Sequence, residues 1–129
     1  MNMQEIDIYV SKPDGLYLFD AKANILVPVV AKDLRSLTGK QGYVKDAPVD
    51  LIYVADLSKM NTLFEREADF YAAADTGFIG ENVYLFCASA GLATVVRGWV
   101  DKPRLAKAMK LRQDQRVVLA QTVGFPEGK

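Results

Sequence analysis

The sequence predicts an α+β domain, with strands packed against helices, one of them long and central. Two observations carry this. Short apolar runs at residues 6–10, 16–20, 47–56 and 115–125 have strand length, alternating or continuous. By contrast, Phe70 to Ala90 places apolar residues on most faces of a single long helix. The elements follow the order β-β-(β)-α-β-α-α-β-α-β, which indicates an α+β or mixed α/β domain. With 129 residues, one domain spanning 1–129 is expected.

Each element has its own signal. Ile6, Ile8 and Val10 alternate with Asp7 and Tyr9, the pattern of a half-buried strand. "KPDG" at 12–15 reads as a turn, with Pro at its first central position and Gly closing it. "LYLFD" returns as a second strand, and "NILVPVV" reads as a third, confined to an edge by Pro28. "AKDLRSLTGK" predicts a short helix, with Leu34 and Leu37 on one side and Gly39 as its stop. "APVDLIYVAD" at 47–56 is the best candidate for a buried strand. Ser58 to Asp69 is charged and reads as a surface helix or a loop-helix segment.

The long helix over 70–90 is studded with small residues, including Gly77 and Gly80. Each interior glycine costs about 1 kcal/mol against Ala, a cost usually offset by close approach of another backbone. The helix is therefore expected to be buried on several sides, in part against a second copy. Gly91 ends it. In "DKPRLAKAMKL", Asp101 is the N-cap, Pro103 lies in the first turn, and Leu105, Ala108 and Met109 share a face. "QRVVLAQTVGF" closes the domain as a strand.

Composition removes several function classes. Charge balances at zero, so nothing favours broad attraction to nucleic acid or anionic lipid. The chain has no His, the commonest general base and metal ligand. Its one Cys, Cys87, falls in an apolar helical run and reads as a small buried hydrophobe. No metal site is expected, and the Glu65, Glu67, Asp69 run reads as a solvated helix face. The glycines form no G-x-G-x-x-G or Walker spacing, and no triad can be completed. No apolar stretch is long enough to cross a bilayer and no signal peptide is visible, which predicts a cytoplasmic protein.

One stretch resists a purely structural reading. "GLATVVRGW", 91–99, runs apolar through Val95 and Val96, then sets Arg97 beside Gly98 ahead of an aromatic. The mixture suggests backbone placed close to something flat or charged, with Gly98 permitting the approach.

The segment "FYAAADTGFIGENVYLFCASAGLATVVRGWVDKPRLAKAMKLRQDQRVVLAQTVGFP" closely resembles the C-terminal half of the nitroreductase family, flavin-dependent oxidoreductases that hold FMN at a dimer interface. "APVDLIYVADLSKM" resembles the family's central strand. The resemblance implies that backbone amides of Val96, Arg97 and Gly98 face the flavin ring. It also implies that Asn2 and Gln4 meet its polar groups and that Lys129 helps to hold its phosphate. The implied partners are NAD(P)H, a small-molecule electron acceptor such as a nitro compound or quinone, and a second copy joined through residues 70–90. No catalytic side chain is implied, because the flavin carries the chemistry. The Arg-x-Ser-like segment with which family members grip the FMN phosphate has no counterpart before Asn2, so the chain reads as N-terminally truncated relative to the family. The alternative expectation is a non-catalytic dimeric remnant that has lost flavin. An unrelated α+β ligand-binding domain is a third.

Overall fold

The computed structural model describes residues 5–60 and 67–126. Six strands form a single sheet: β1 (Ile6–Lys12), β2 (Gly15–Asp20), β3 (Ile25–Val30), β4 (Val49–Asp56), β5 (Ala93–Arg97) and β6 (Gln115–Gly124). Their order is β3-β2-β1-β4-β6-β5, and each of the five pairings is antiparallel. Two helices complete it, α1 (Ala68–Ala90) and α2 (Lys102–Met109).

The sheet is covered on both faces, which explains why β4 is apolar almost throughout. Alternate residues of a strand point to opposite faces, so a doubly covered strand needs apolar residues at consecutive positions. Ile52 and Val54 pack with Tyr9, Leu16, Leu34 and Val117 against Leu105 and Met109 of α2. Full burial of Leu105 and Met109 contributes about 1.5–3 kcal/mol each. Tyr53 faces the other way, where its hydroxyl bonds to the buried Gln121, and Gln121 in turn reaches the Gly80 carbonyl of α1.

α2 forms as its sequence dictates. The Asp101 carboxylate accepts from the Arg104 amide at 3.2 Å, Pro103 sits in the first turn, and Leu105 and Met109 are buried. Gly91 ends α1 in the left-handed conformation at φ 73°, as expected of a glycine C-cap. β3 lies at the sheet edge, the position in a sheet where a Pro such as Pro28 is tolerated.

Three expectations need correction. In β1 the fully buried residues are Tyr9 and Ser11, not Ile6, Ile8 and Val10, which are half-buried. Ile6 and Ile8 instead line a cleft beside α1. The helix expected over 31–40 is only a 3-10 turn, Arg35–Leu37, followed by a second at Gly42–Lys45. Asp33 accepts from the Arg35 amide and Thr38 Oγ1 donates to the Arg35 carbonyl, so local side chains take the groups a helix would use. α1 is not buried on several sides within one chain. Ala72, Thr76, Gly80 and Cys87 make one buried stripe, while Phe70, Phe78, Leu85 and Phe86 are 60–72% exposed.

Of the charged segment 58–69, a 3-10 turn (Leu57–Lys59) and the start of α1 are described; residues 61–66, including Glu65, lie outside the described residues. Among the described residues no helix is long and apolar enough to cross a membrane.

Candidate functional site

The site is built at the β5 edge of the sheet, where β5 pairs with β6 on one side and, among the described residues, with no strand on the other. "GLATVVRGW" is thus a strand as far as Arg97 and leaves the sheet at Gly98. Within it, Val96 turns its side chain toward α1. A Cβ added at Gly80 would come within 3.3 Å of the Val96 Cγ2, so the absent side chain lets helix and strand approach. The Val96 amide donates to the Tyr84 hydroxyl at 2.8 Å, so α1 caps the backbone of this edge.

Arg97 turns to the opposite face and is 3% exposed. Its Nε donates to Thr122 Oγ1 at 2.7 Å and its Nη1 to the Thr38 carbonyl at 2.6 Å. Nη2 is 3.3 Å from both Thr38 Oγ1 and Asp50 Oδ1. Thr122 Oγ1 in turn donates to Asp50 Oδ1 at 2.7 Å. Burial pushes the Asp50 carboxyl up to about 6, against the opposing pull of Thr122 and Arg97, and burial pulls the Arg97 guanidinium down. At neutral pH the pair is ionised. Its mutual attraction and the hydrogen bonds to Thr38 and Thr122 work against a desolvation cost of several kcal/mol per ion, while the second Asp50 oxygen, Oδ2, is buried without a hydrogen-bond partner among the described residues.

Gly39 is part of this arrangement, not a helix stop. A Cβ there would stand 1.9 Å from Arg97 Nη1 and 3.1 Å from its Cζ. Gly98 is different: a Cβ there would meet only Leu119 Cδ2, at an ordinary 3.6 Å. Packing within the chain does not require glycine at 98. Beyond it, Trp99 is 60% exposed, and its carbonyl accepts from the Lys40 amide at 3.1 Å.

The structure therefore brings Val96, Arg97 and Gly98 together, while Asn2, Gln4 and Lys129 lie outside the described residues. The residues fit a flat ring against the strand edge in two respects. The Gly98 side is open, and the group holding the Val96 amide is a phenol that can rotate and retains a proton to donate. They do not offer the Arg97 guanidinium to a phosphate, since its donors are engaged with Thr38, Asp50 and Thr122.

Sequence reasoning missed Tyr84, Thr38, Asp50 and Thr122. Asp50 had a visible signal: a charge inside the apolar run "PVDLIYVA" demands a buried cation. A second concavity, an open cleft of about 880 Å³, lies between the β1–β3 half of the sheet and α1. Glu5 lines it, 2% exposed, with one carboxylate oxygen lacking a partner. Burial first, then its contact with Asp75, raises the Glu5 carboxyl to about 7.

Comparison with known proteins agrees with this architecture. The profile of the nitroreductase family matches residues 1–125. A curated protein of Methanocaldococcus jannaschii, provisionally named a nitroreductase, is 25% identical over 118 residues, covering 84% of this chain and 60% of the relative. A crystal structure from Ralstonia eutropha, provisionally described as a nitroreductase, superposes with a TM-score of 0.91 at 42% identity, covering 98% of this chain and 60% of that one. One from Anabaena variabilis, with the same provisional description, gives 0.81 at 20% identity over 95% of this chain and 27% of that one, which speaks to the fold alone. The chain spans about 60% of the length of the first two relatives. With a family match across nearly its whole length, the chain belongs to the nitroreductase family.

Proposed function

We propose that the chain is a single-domain, cytoplasmic, flavin-dependent oxidoreductase that uses FMN, takes electrons from NAD(P)H and passes them to a nitro compound, quinone or similar small acceptor. The observation that carries this reading is the exit of β5. The position at Gly98 is free of any side chain although no packing among the described residues requires it, and it adjoins an amide held by a phenol rather than by another strand. FMN bound there would supply the acceptance and release of hydride. The protein's part is to present amide donors at Val96, Arg97 and Gly98, where they stabilise negative charge on a ring. Asn2 and Gln4 are assigned to the polar groups of the ring system, and Lys129 to the phosphate.

The exposed apolar side of α1 belongs to the same proposal. Phe70, Phe78, Leu85 and Phe86 are large, apolar and open on one helix, and a second copy joined through residues 70–90 would cover them. Gly77, with nothing within 4 Å of an added Cβ, leaves space on that side.

One observation favours a second reading, a dimeric scaffold without flavin. The Val96 amide already has a partner and Arg97 is engaged in the interior, so the edge is satisfied with protein groups alone. A single experiment separates the two. The purified chain is mixed with FMN and passed through a gel-filtration column, and the visible absorption of the protein peak is recorded. A retained flavin band, with a rise in melting temperature that grows with FMN concentration, supports the oxidoreductase. A colourless protein peak with an unchanged melting temperature leaves the scaffold.

A further inference from the structure

Arg97, Thr38, Asp50 and Thr122 bury two charges and two hydroxyls to secure one short loop. The Arg97 guanidinium grips Thr38 through both its carbonyl (2.6 Å) and its hydroxyl (3.3 Å). Gly39 then passes directly beside the guanidinium, where no side chain would fit. The next residue, Lys40, donates its amide to the Trp99 carbonyl at 3.1 Å, and its ammonium stands 5.9 Å from the centroid of the Trp99 ring. From the other side, the Val100 amide donates to the Gly98 carbonyl at 2.9 Å and holds the turn that carries Trp99. Lys40 and Trp99 are both exposed, so neither contributes a buried side chain to the core. What this buried polarity secures is therefore a surface corner: one cation over one face of an exposed indole, adjoining Gly98.

We propose that Lys40 and Trp99 form a recognition corner for planar electron acceptors that carry an anionic group such as a carboxylate, and that Arg97 is the positioning residue that holds it. The inference rests on the flavin reading for what lies beside the corner, but the corner itself is made of this chain's own groups. Chemistry supports the pairing. An exposed indole face offers stacking area to a flat, electron-poor ring, and an ammonium beside it attracts a carboxylate on the same molecule. An exposed ion pair is typically worth enough to give up to about fivefold in affinity. A neutral acceptor of the same shape would keep the stacking and lose the ion pair.

Trp99 is the chain's single tryptophan, so its fluorescence reports the corner directly. The test is a quenching titration of the full chain with 4-nitrobenzoate and with the neutral 4-nitrobenzamide, corrected for absorption, with and without FMN. The wild type is expected to bind the carboxylate several-fold more tightly, up to about fivefold at low salt, with the ratio shrinking as salt is added. Lys40→Gln should bring the ratio to about one and Lys40→Arg should restore it, both with unchanged circular dichroism. Gly39→Ala, which displaces the guanidinium, should shift Trp99 emission and reduce the ratio while Lys40 is still present. Equal affinities in the wild type, or a ratio that survives Lys40→Gln, would overturn the proposal. A charge preference seen without FMN in a chain that retains no flavin would keep the corner and remove only the oxidoreductase reading.

Discussion

The two edges of the sheet are alike in composition and differ in everything that surrounds them. β3, "ILVPVV", and β5, "ATVVR", are both short, apolar and paired on one side only. Five of the six β3 residues are exposed, and Pro28 blunts the strand as a template for further pairing. β5 has α1 packed over one face, with the Tyr84 hydroxyl on its outer backbone, and a buried cation at its end reaching Thr38, Asp50 and Thr122 on the other. The difference teaches that apolar content does not mark the edge with a role. What marks it is the single charged residue whose burial obliges distant segments to converge.

That contrast can be broken most forcefully at Asp50. Asp50→Ala leaves the Arg97 guanidinium buried without its counter-ion and should lower unfolding stability by about 3–5 kcal/mol in a urea titration. Joint replacement with Arg97→Met should recover part of the loss, since it removes the stranded charge. A loss below about 1 kcal/mol would mean that the pair does not hold the β5 edge.

The two glycines beside this network sharpen the contrast on a smaller scale. Gly39→Ala forces the Arg97 guanidinium to move and should cost about 1–3 kcal/mol. Gly98→Ala meets only Leu119 and should change stability by no more than about 0.5 kcal/mol, yet reduce FMN retention by filling the space beside the ring. Equal effects of the two on stability would contradict the division between a glycine kept for packing and one left open. Tyr84→Phe removes the acceptor for the Val96 amide and should cost about 0.5–1.5 kcal/mol by the same assay.

A subtler effect appears as a slope against pH. Glu5 is raised from 4.5 to about 7, and Asp50 from 3.8 to about 6, both chiefly by burial. A carboxyl raised in the fold binds its proton more tightly there than in the unfolded chain. Its contribution to stability is full below the unfolded value and declines as pH rises through the folded one. Melting temperature should therefore fall between about pH 4.5 and 7 through Glu5, which faces Asp75 in a cleft also lined by Asp7 and Lys59. Glu5→Gln should flatten that slope, and an unchanged slope would remove Glu5 as its source. At the β3 edge, Val27→Ala should change stability by no more than about 0.5 kcal/mol, because the residue is already open to water.

The parts of the fold that could be read in advance are those specified by neighbours in sequence. Asp101 and Pro103 start α2, Gly91 stops α1, and Pro28 confines β3 to an edge, each by a local rule of backbone geometry. The inward face of β1 was not legible. With cover on both faces of the sheet, Ile8 and Tyr9 each have an apolar neighbour, and alternation alone does not choose between them. At 34–45 Leu34 and Leu37 fit a helical spacing, yet Asp33 and Thr38 give the backbone other partners and the segment forms only 3-10 turns. At the candidate site, Val96 and Gly98 stood out by type and order. The partners of Arg97 did not, since Asp50 lies 47 residues away and Thr38 lies 59 away. The antiparallel β4–β6–β5 register brings Asp50 and Thr122 to Arg97, and Thr38 reaches it from the loop after the 3-10 turn Arg35–Leu37.

On the flavin reading, the β5 edge, and not the β3 edge, receives the cofactor. Amide hydrogen exchange of the whole chain, compared with and without FMN, tests this residue by residue. Adding FMN should slow exchange at Val96, Arg97 and Gly98 and leave β3 from Ile25 to Val30 unaffected. Exchange that is unchanged at 96–98, or slowed along β3 instead, would contradict it.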